Sequence, residues 1–176
     1  MKFEKFHLSD ELMRNLHNLG FFRTTDIQFK AIPSILAGED VLAIAQTGTG
    51  KTAAFAIPIV ENIHSRKNSK RNEGLRCLVM VPTRELAQQI GEVFNGLCRN
   101  LKVKSFALYG GVEQEKQIRK LEDGLDILIT TPGRMFDLIS QGHIDVSHIE
   151  ALVLDEADHM LDLGFIEDIE SIKRKL

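Results

Sequence analysis

Apolar residues along this chain follow two periods in turn. Leu8, Leu12, Leu16 and Leu19, with Met13, recur at helical spacing and share one face. Ser9 suits the N-cap of that helix, Asp10 and Glu11 suit its first turn through the dipole, and Gly20 suits its end. A second helix is predicted from Asp26 to Ala37, with Ile27, Ala31, Ile32 and Ile35 inward and Gly38 at its stop. Pro33 inside it is a local conflict. Val41-Leu42-Ala43-Ile44 then forms a continuous apolar run, which predicts a buried first strand over 41–45. The helix after it is expected to reach about His64.

The alternation continues to the end of the chain. Leu75 to Val81 reads as a second strand, and Thr83 caps a helix through Leu97 whose inner face carries Leu86, Ile90, Val93, Phe94 and Leu97. Val103 to Leu108 is a third strand, followed by a charged helix from about Glu113 to Asp123 and a stop at Gly124. Asp126 to Thr130 is a fourth strand. The next helix opens on Thr131-Pro132-Gly133-Arg134, where Pro132 suits the first helical position. Ala151 to Leu154 is a fifth strand, and a last helix spans about Ile166 to Lys175. Continuous apolar strands alternating with helices imply an α/β fold with a central parallel sheet flanked by helices on both faces. In such a sheet ligands bind at the carboxyl ends of the strands. The loops 45–52, 82–84, 109–111, 131–134 and 155–158 all fall at such ends.

Composition narrows the class. The 176 residues suffice for one domain with a core, and 43% hydrophobic with 27% charged residues is ordinary for a globular protein. Lys plus Arg number 22 against 25 Asp plus Glu, a formal charge of −3, which argues against wholesale polyanion binding but not against a local basic groove. Cys77 and Cys98 have no neighbours at metal-ligand spacing, so buried thiols in a reducing compartment are expected. Neither a signal peptide nor a membrane-length apolar run is present, so the expected location is cytoplasmic.

The chemistry centres on Ala45-Gln46-Thr47-Gly48-Thr49-Gly50-Lys51-Thr52. A strand, a glycine loop ending Gly-Lys-Thr, and a helix make a phosphate-binding loop. Glycines let successive N–H groups wrap an anion, and the helix start adds its unpaired N–H groups and positive dipole end. Lys51 would meet the β- and γ-phosphates, and Thr52 would offer its hydroxyl to Mg²⁺. Such a loop calls for a metal-binding acid at the end of another apolar strand. Asp155 fits that role, and Glu156 would orient or deprotonate the attacking water. The basic stretch His64 to Arg71 reads as a solvated loop or, alternatively, an RNA-contacting one.

Asp155-Glu156-Ala157-Asp158 spells the signature of the DEAD-box RNA helicases. The chain resembles the N-terminal, RecA-like P-loop NTPase half of such an enzyme over nearly its whole length. The matching stretches are Ala-Gln-Thr-Gly-Thr-Gly-Lys-Thr (45–52), Pro-Thr-Arg-Glu-Leu-Ala (82–87), Gly110-Gly111, Thr-Pro-Gly-Arg (131–134) and 155–158. On this reading residues 1–38 are an N-terminal helical segment packed on the same domain, and 39–176 are the ATP-binding core.

The resemblance implies ATP and Mg as cofactors and an adenine-reading Q motif, which Gly20-Phe21-Phe22-Arg23-Thr24-Thr25-Asp26-Ile27-Gln28 resembles. It assigns Gln28 to the adenine edge, Arg23 to the same nucleotide-binding segment and Phe3 to packing on the base. Thr24 stands where the family usually has proline, which is expected to loosen the loop. Thr25-x-x-Gln28 also fits a capping box, and the two roles of Gln28 are compatible. Phe3 and Phe6 both remain candidates for plain core.

Sequence-independent RNA backbone contacts are implied at Pro82, Thr83, Arg84, Gly110, Gly111, Thr131, Pro132, Gly133 and Arg134, with structural salt bridges to Glu85 or Asp137 as the other reading of the two arginines. Asp158 would link the nucleotide site to the motif after it. The family's Ser-Ala-Thr motif and second RecA-like domain would follow Leu176. Without the arginines of that domain these residues alone, as a monomer, are expected to bind nucleotide but hydrolyse it poorly. Two functions therefore stand open: the ATP-binding half of an RNA helicase, or a lone nucleotide-responsive RecA-like binding module. A DNA helicase or recombinase is a third, less favoured by Gln28 and 155–158.

Overall fold

A computed structural model describes residues 1–46, 48–67 and 74–176. By internal contacts the chain divides into two compact units, Met1–Lys70 with Val93–Val103, and Arg71–Glu92 with Lys104–Leu176.

The first unit is helical. A short 3₁₀ turn, Phe3–Phe6, precedes α1 (Asp10–Asn18), α2 (Asp26–Leu36) and α3 (Lys51–Arg66). The helix ends follow the sequence signals, with Ser9 and Thr25 at the N-caps and Gly20 and Gly38 at positive φ just past the ends. Ser9 stands at the N-cap position without a side-chain capping bond. Its N–H and its hydroxyl both donate to one carboxylate oxygen of Glu61, at 3.0 and 2.8 Å, which ties the residue before α1 to α3. Buried Asn15 donates in turn to the carbonyls of Leu97 and Arg99. Leu12, Leu16, Ile32, Ile57 and Val60 are fully buried, as the helical periodicity requires.

One predicted strand is absent. Residues 41–45 adopt no regular structure, and Leu42 and Ile44 are 93% and 92% exposed. The reason is physical: an apolar run becomes a strand only when neighbouring strands take up its N–H and C=O groups, and no described strand pairs with it.

The second unit holds the sheet. Strands β1 (Cys77–Met80), β2 (Ser105–Leu108), β3 (Ile127–Thr130) and β4 (Ala151–Leu154) are all parallel and run in the order β2-β3-β1-β4. Helices α5 (Gln114–Glu122), α6 (Pro132–Ser140), α7 (Ala157–Asp162) and α8 (Ile166–Lys173) belong to this unit, and α4 (Arg84–Leu97) begins in it. The short helix α7 was not foreseen from the sequence. The two inner strands, β1 and β3, are buried at every position, whereas the edge strand β4 is half-buried throughout. Leu78, Met80, Leu108, Leu128, Met135, Leu138, Met160 and Ile172 form the core of the unit. Helix α4 packs so closely on β2 that a Cβ on Gly91 would stand 2.7 Å from that of Ala107. No helix among the described residues is long and apolar enough to cross a membrane.

Candidate functional site

The phosphate loop lies in the first unit. Gly48 and Gly50 have φ of +81° and +86°, a region open to glycine at little cost. Gly50 is the N-cap of α3, so Lys51 and Thr52 are its first two residues, at the positive end of the helix dipole. Both side chains are half-buried, and the Thr49 hydroxyl holds the loop by donating 2.7 Å to the Gln46 carbonyl. Thr47 lies outside the described residues, as do residues 68–71 of the basic stretch 64–71.

Gln28 connects this loop to α2. It is 1% exposed; its Oε1 accepts the Thr25 N–H at 3.0 Å, and its Nε2 donates to the Gly50 carbonyl at 3.1 Å. The first bond is the side-chain half of a capping box. Reading a base edge would draw on the remaining N–H and lone pair of the same amide. A Cβ on Gly50 would stand 2.5 Å from Gln28 Nε2 and 3.1 Å from Thr25 Oγ1, so this position needs glycine for space as well as for φ. An open cleft of about 600 Å³ is lined by Thr25, Asp26, Lys30, Val41, Leu42 and Ala45 among others.

Three residues of the adenine segment depart from expectation or qualify it. Phe3, assigned to a base, is 1% exposed and packs edge-on against Phe6 and Phe21, with centroids 6.1 and 6.3 Å away. It is a core residue here. Thr24 has bonds of its own: its N–H and its hydroxyl both donate to the Met1 carbonyl, at 2.9 and 3.3 Å, and a proline would supply neither donor. Arg23 is exposed on the bend before α2.

The second unit brings the other four loops to one rim, because parallel strands place all their carboxyl ends together. After β1 come buried Pro82, Thr83 and exposed Arg84; the Thr83 hydroxyl accepts the Leu86 N–H at 3.2 Å and caps α4. Arg84 Nε donates to Glu85 at 3.0 Å, the salt bridge foreseen as its structural alternative. Its guanidinium also reaches the glycine pair after β2, where a Cβ on Gly111 would stand 2.8 Å from Arg84 Nη1. Glu85's own backbone N–H, then Arg84, hold its carboxyl below the usual carboxylate range. After β3, Pro132 is buried at the first position of α6, Gly133 is exposed, and Arg134 Nη1 donates to Gln114 Oε1 at 3.0 Å.

After β4 the chain turns abruptly. Asp155 is 7% exposed, and its Oδ1 accepts the Glu156 N–H at 3.1 Å. Glu156 sits in the left-handed region at φ 52°, ψ 48°, which starts α7 at once and leaves its carboxylate half-exposed. A non-glycine residue there carries strain, the kind of cost found at functional turns. Among the described residues no three His, Cys, Asp or Glu could hold a metal by themselves. A buried acid such as Asp155 is a ligand of the kind Mg²⁺ takes, since that ion keeps several waters and binds through one or two carboxylates plus phosphate oxygens.

The sequence missed several residues of this rim. Gln117 on α5 is 3% exposed and donates to the Tyr109 carbonyl at 3.1 Å. Gln114 bridges Arg134 and Gln141, the second bond being 2.7 Å. His159 Nδ1 lies 3.4 Å from Glu156 Oε2. An amide pair three residues apart in a charged helix just past two glycines was the available signal for the first two.

Comparison with known proteins agrees with this geometry. The family model described as DEAD/DEAH box helicase matches residues 25–176. The DEAD-box ATP-dependent RNA helicase CshA of Geobacillus kaustophilus is 45% identical over 170 residues, covering 97% of this chain and 35% of that protein. The RNA helicase CrhR of Synechocystis is 43% identical over 173 residues, covering 98% of this chain and 34% of that one. The chain thus spans about a third of the length of these curated relatives. Among solved structures, a hypothetical ATP-dependent RNA helicase from Sulfolobus tokodaii superposes with a TM-score of 0.84 at 38% identity, over 96% of this chain and 47% of that one.

Proposed function

The chain belongs to the DEAD/DEAH box helicase family, and from that premise we propose that it is the ATP-binding part of an RNA-dependent ATPase that separates short RNA duplexes. The observation that carries this reading is the rim of the parallel sheet. It gathers the Thr83–Arg84, Gly110–Gly111 and Thr131–Arg134 loops with the Asp155–Glu156 pair on one edge of one unit.

Each group has a physical role. Gly48 and Gly50 shape the loop so that backbone N–H groups face an anion, and Lys51 brings an ammonium to the β- and γ-phosphates. Gln28 couples adenine to that loop through its bond to Gly50. Thr52 in the first unit and Asp155 in the second each carry an oxygen of the kind Mg²⁺ takes, and that ion when bound would neutralise charge on the phosphates. The Glu156 carboxylate takes the proton of the attacking water or orients it. At the rim, hydroxyls, bare glycine backbone and the two arginines meet sugar and phosphate and no base edge, so RNA is held without regard to sequence. Cys77 and Cys98 are buried and share no disulfide, which suits a reducing cytoplasm. The partners in this reading are RNA and a second RecA-like domain, and the acting species is a monomer.

The test is ATP hydrolysis by the whole gene product with and without single-stranded RNA. Stimulation by RNA that disappears in Glu156→Gln, with ATP binding intact, is expected. Hydrolysis indifferent to RNA would refute the helicase reading and leave a nucleotide-responsive module.

A further inference from the structure

Two glutamines of α5, Gln114 and Gln117, stand three residues apart and so share a helix face. Each reaches a different loop of the rim. Gln117 Nε2 donates 3.1 Å to the carbonyl of Tyr109, the residue before the glycine pair. Gln114 Oε1 accepts Arg134 Nη1 at 3.0 Å, and its Nε2 donates 2.7 Å to Gln141 Oε1 just past the end of α6. The loops they hold follow β2 and β3, which are adjacent strands.

The chemistry of Gln117 is unusual for a residue serving packing alone. It is 3% exposed, and its Oε1 has no hydrogen-bond partner among the described residues. A buried acceptor left unmade is costly, whereas an apolar side chain of similar size would carry no such penalty. What the amide provides in return is a fixed anchor for the Tyr109 carbonyl. Gly110 and Gly111 lack side chains to anchor themselves, and nothing stands within 4 Å of a Cβ built on Gly110. Arg134 is comparable: a guanidinium is long and rotamer-rich, and Gln114 fixes its direction while adding no charge that would compete with phosphate.

We infer that Gln114 and Gln117 are positioning residues for RNA, and that α5 sets the separation between the Gly110–Gly111 loop and Arg134 so that both meet one backbone at once. The inference rests on the RNA-binding reading of the rim. The glutamines touch the loops and leave the phosphates to them.

The test titrates the whole gene product with a fluorescent single-stranded oligouridylate in the presence of a non-hydrolysable ATP analogue, for wild type, Gln117→Leu and Gln114→Ala. Thermal melting and ATP-analogue affinity are recorded alongside. Losing one anchoring hydrogen bond should raise the RNA dissociation constant by roughly 3–10-fold in each variant. ATP-analogue affinity should stay unchanged. Gln117→Leu removes the unsatisfied acceptor, so its melting temperature should hold or rise while RNA binding falls, a divergence that a merely structural role does not produce. The slope of RNA affinity against salt should also hold, because no phosphate-neutralising charge is lost. If wild type itself fails to bind the oligonucleotide, the RNA reading of the rim fails. If wild type binds and both variants bind equally well, the positioning role is refuted. It is refuted equally if RNA affinity falls only in step with melting temperature or ATP-analogue affinity.

Discussion

Substituting Gly50 with alanine separates two demands that the phosphate loop makes on one residue. The first is backbone conformation: at φ +86° alanine costs roughly 1–2 kcal/mol. The second is space, since the new methyl would stand 2.5 Å from Gln28 Nε2. Gln28 is 1% exposed and bonded at both ends of its amide, so relief means breaking its bond to the Gly50 carbonyl, its bond to Thr25, or both. Each bond is worth about 0.5–1.5 kcal/mol, so crowding should add about 1–3 kcal/mol to the backbone cost. Gly48 provides the control. Its φ is +81°, yet nothing lies within 4 Å of a Cβ built there, so Gly48→Ala should carry the conformational cost alone. Urea denaturation of both variants, with calorimetric titration by ADP, measures the two terms. Gly50→Ala should be the less stable by about 1–3 kcal/mol and should lose the greater part of its ADP affinity. Adding Gln28→Ala to Gly50→Ala should cost less than Gln28→Ala costs alone, because the crowded amide has gone. A Gly50→Ala protein as stable as Gly48→Ala, or strict additivity with Gln28→Ala, would refute the close approach of Gln28 to the loop.

Two further outcomes concern the second unit. Gly91→Ala should lower the melting temperature by several degrees, because a contact at 2.7 Å between Cβ atoms overpacks α4 on β2 and outweighs the helix-propensity gain of about 1 kcal/mol; Ala107→Gly in the same protein should restore most of the loss, and a rise in melting temperature for the single variant would contradict the packing. Burial pushes the Cys77 thiol from 9.0 up to about 12, so its contribution to stability is complete below about pH 9 and is lost as pH rises towards 12. Denaturation curves from pH 8.5 to 10.5 should therefore fall more steeply for wild type than for Cys77→Ala, and the native thiol should resist an aromatic disulfide reagent until the protein unfolds.

Much of this molecule was legible in its sequence because the deciding interactions are local. Helix starts at Thr25 and Thr83 follow from caps that act within one turn, and the start at Pro132 follows from the fit of proline to the first helical position. The candidate phosphate loop, the Gly110–Gly111 pair and Asp155–Glu156 stand out in the sequence because glycines, a lysine and acids at fixed spacing point to a candidate chemistry wherever the chain runs. Parallel pairing followed from apolar strands alternating with helices. What the sequence could not supply was the identity of partners far along the chain. Residues 41–45 have the composition of a buried strand, but a strand exists only when neighbours take its backbone groups, and here Leu42 and Ile44 face solvent. Phe3 could have served a base or the core; its packing against Phe6 and Phe21 decided for the core. The strand order β2-β3-β1-β4, the bond from Gln28 to Gly50, and the glutamines that anchor Tyr109 and Arg134 all join residues distant in sequence. Periodicity and capping are satisfied within a few residues, so the sequence determined most of the helices and the four paired strands. Burial and long-range hydrogen bonds depend on which surfaces meet, so the tertiary structure alone decided which of those residues became neighbours.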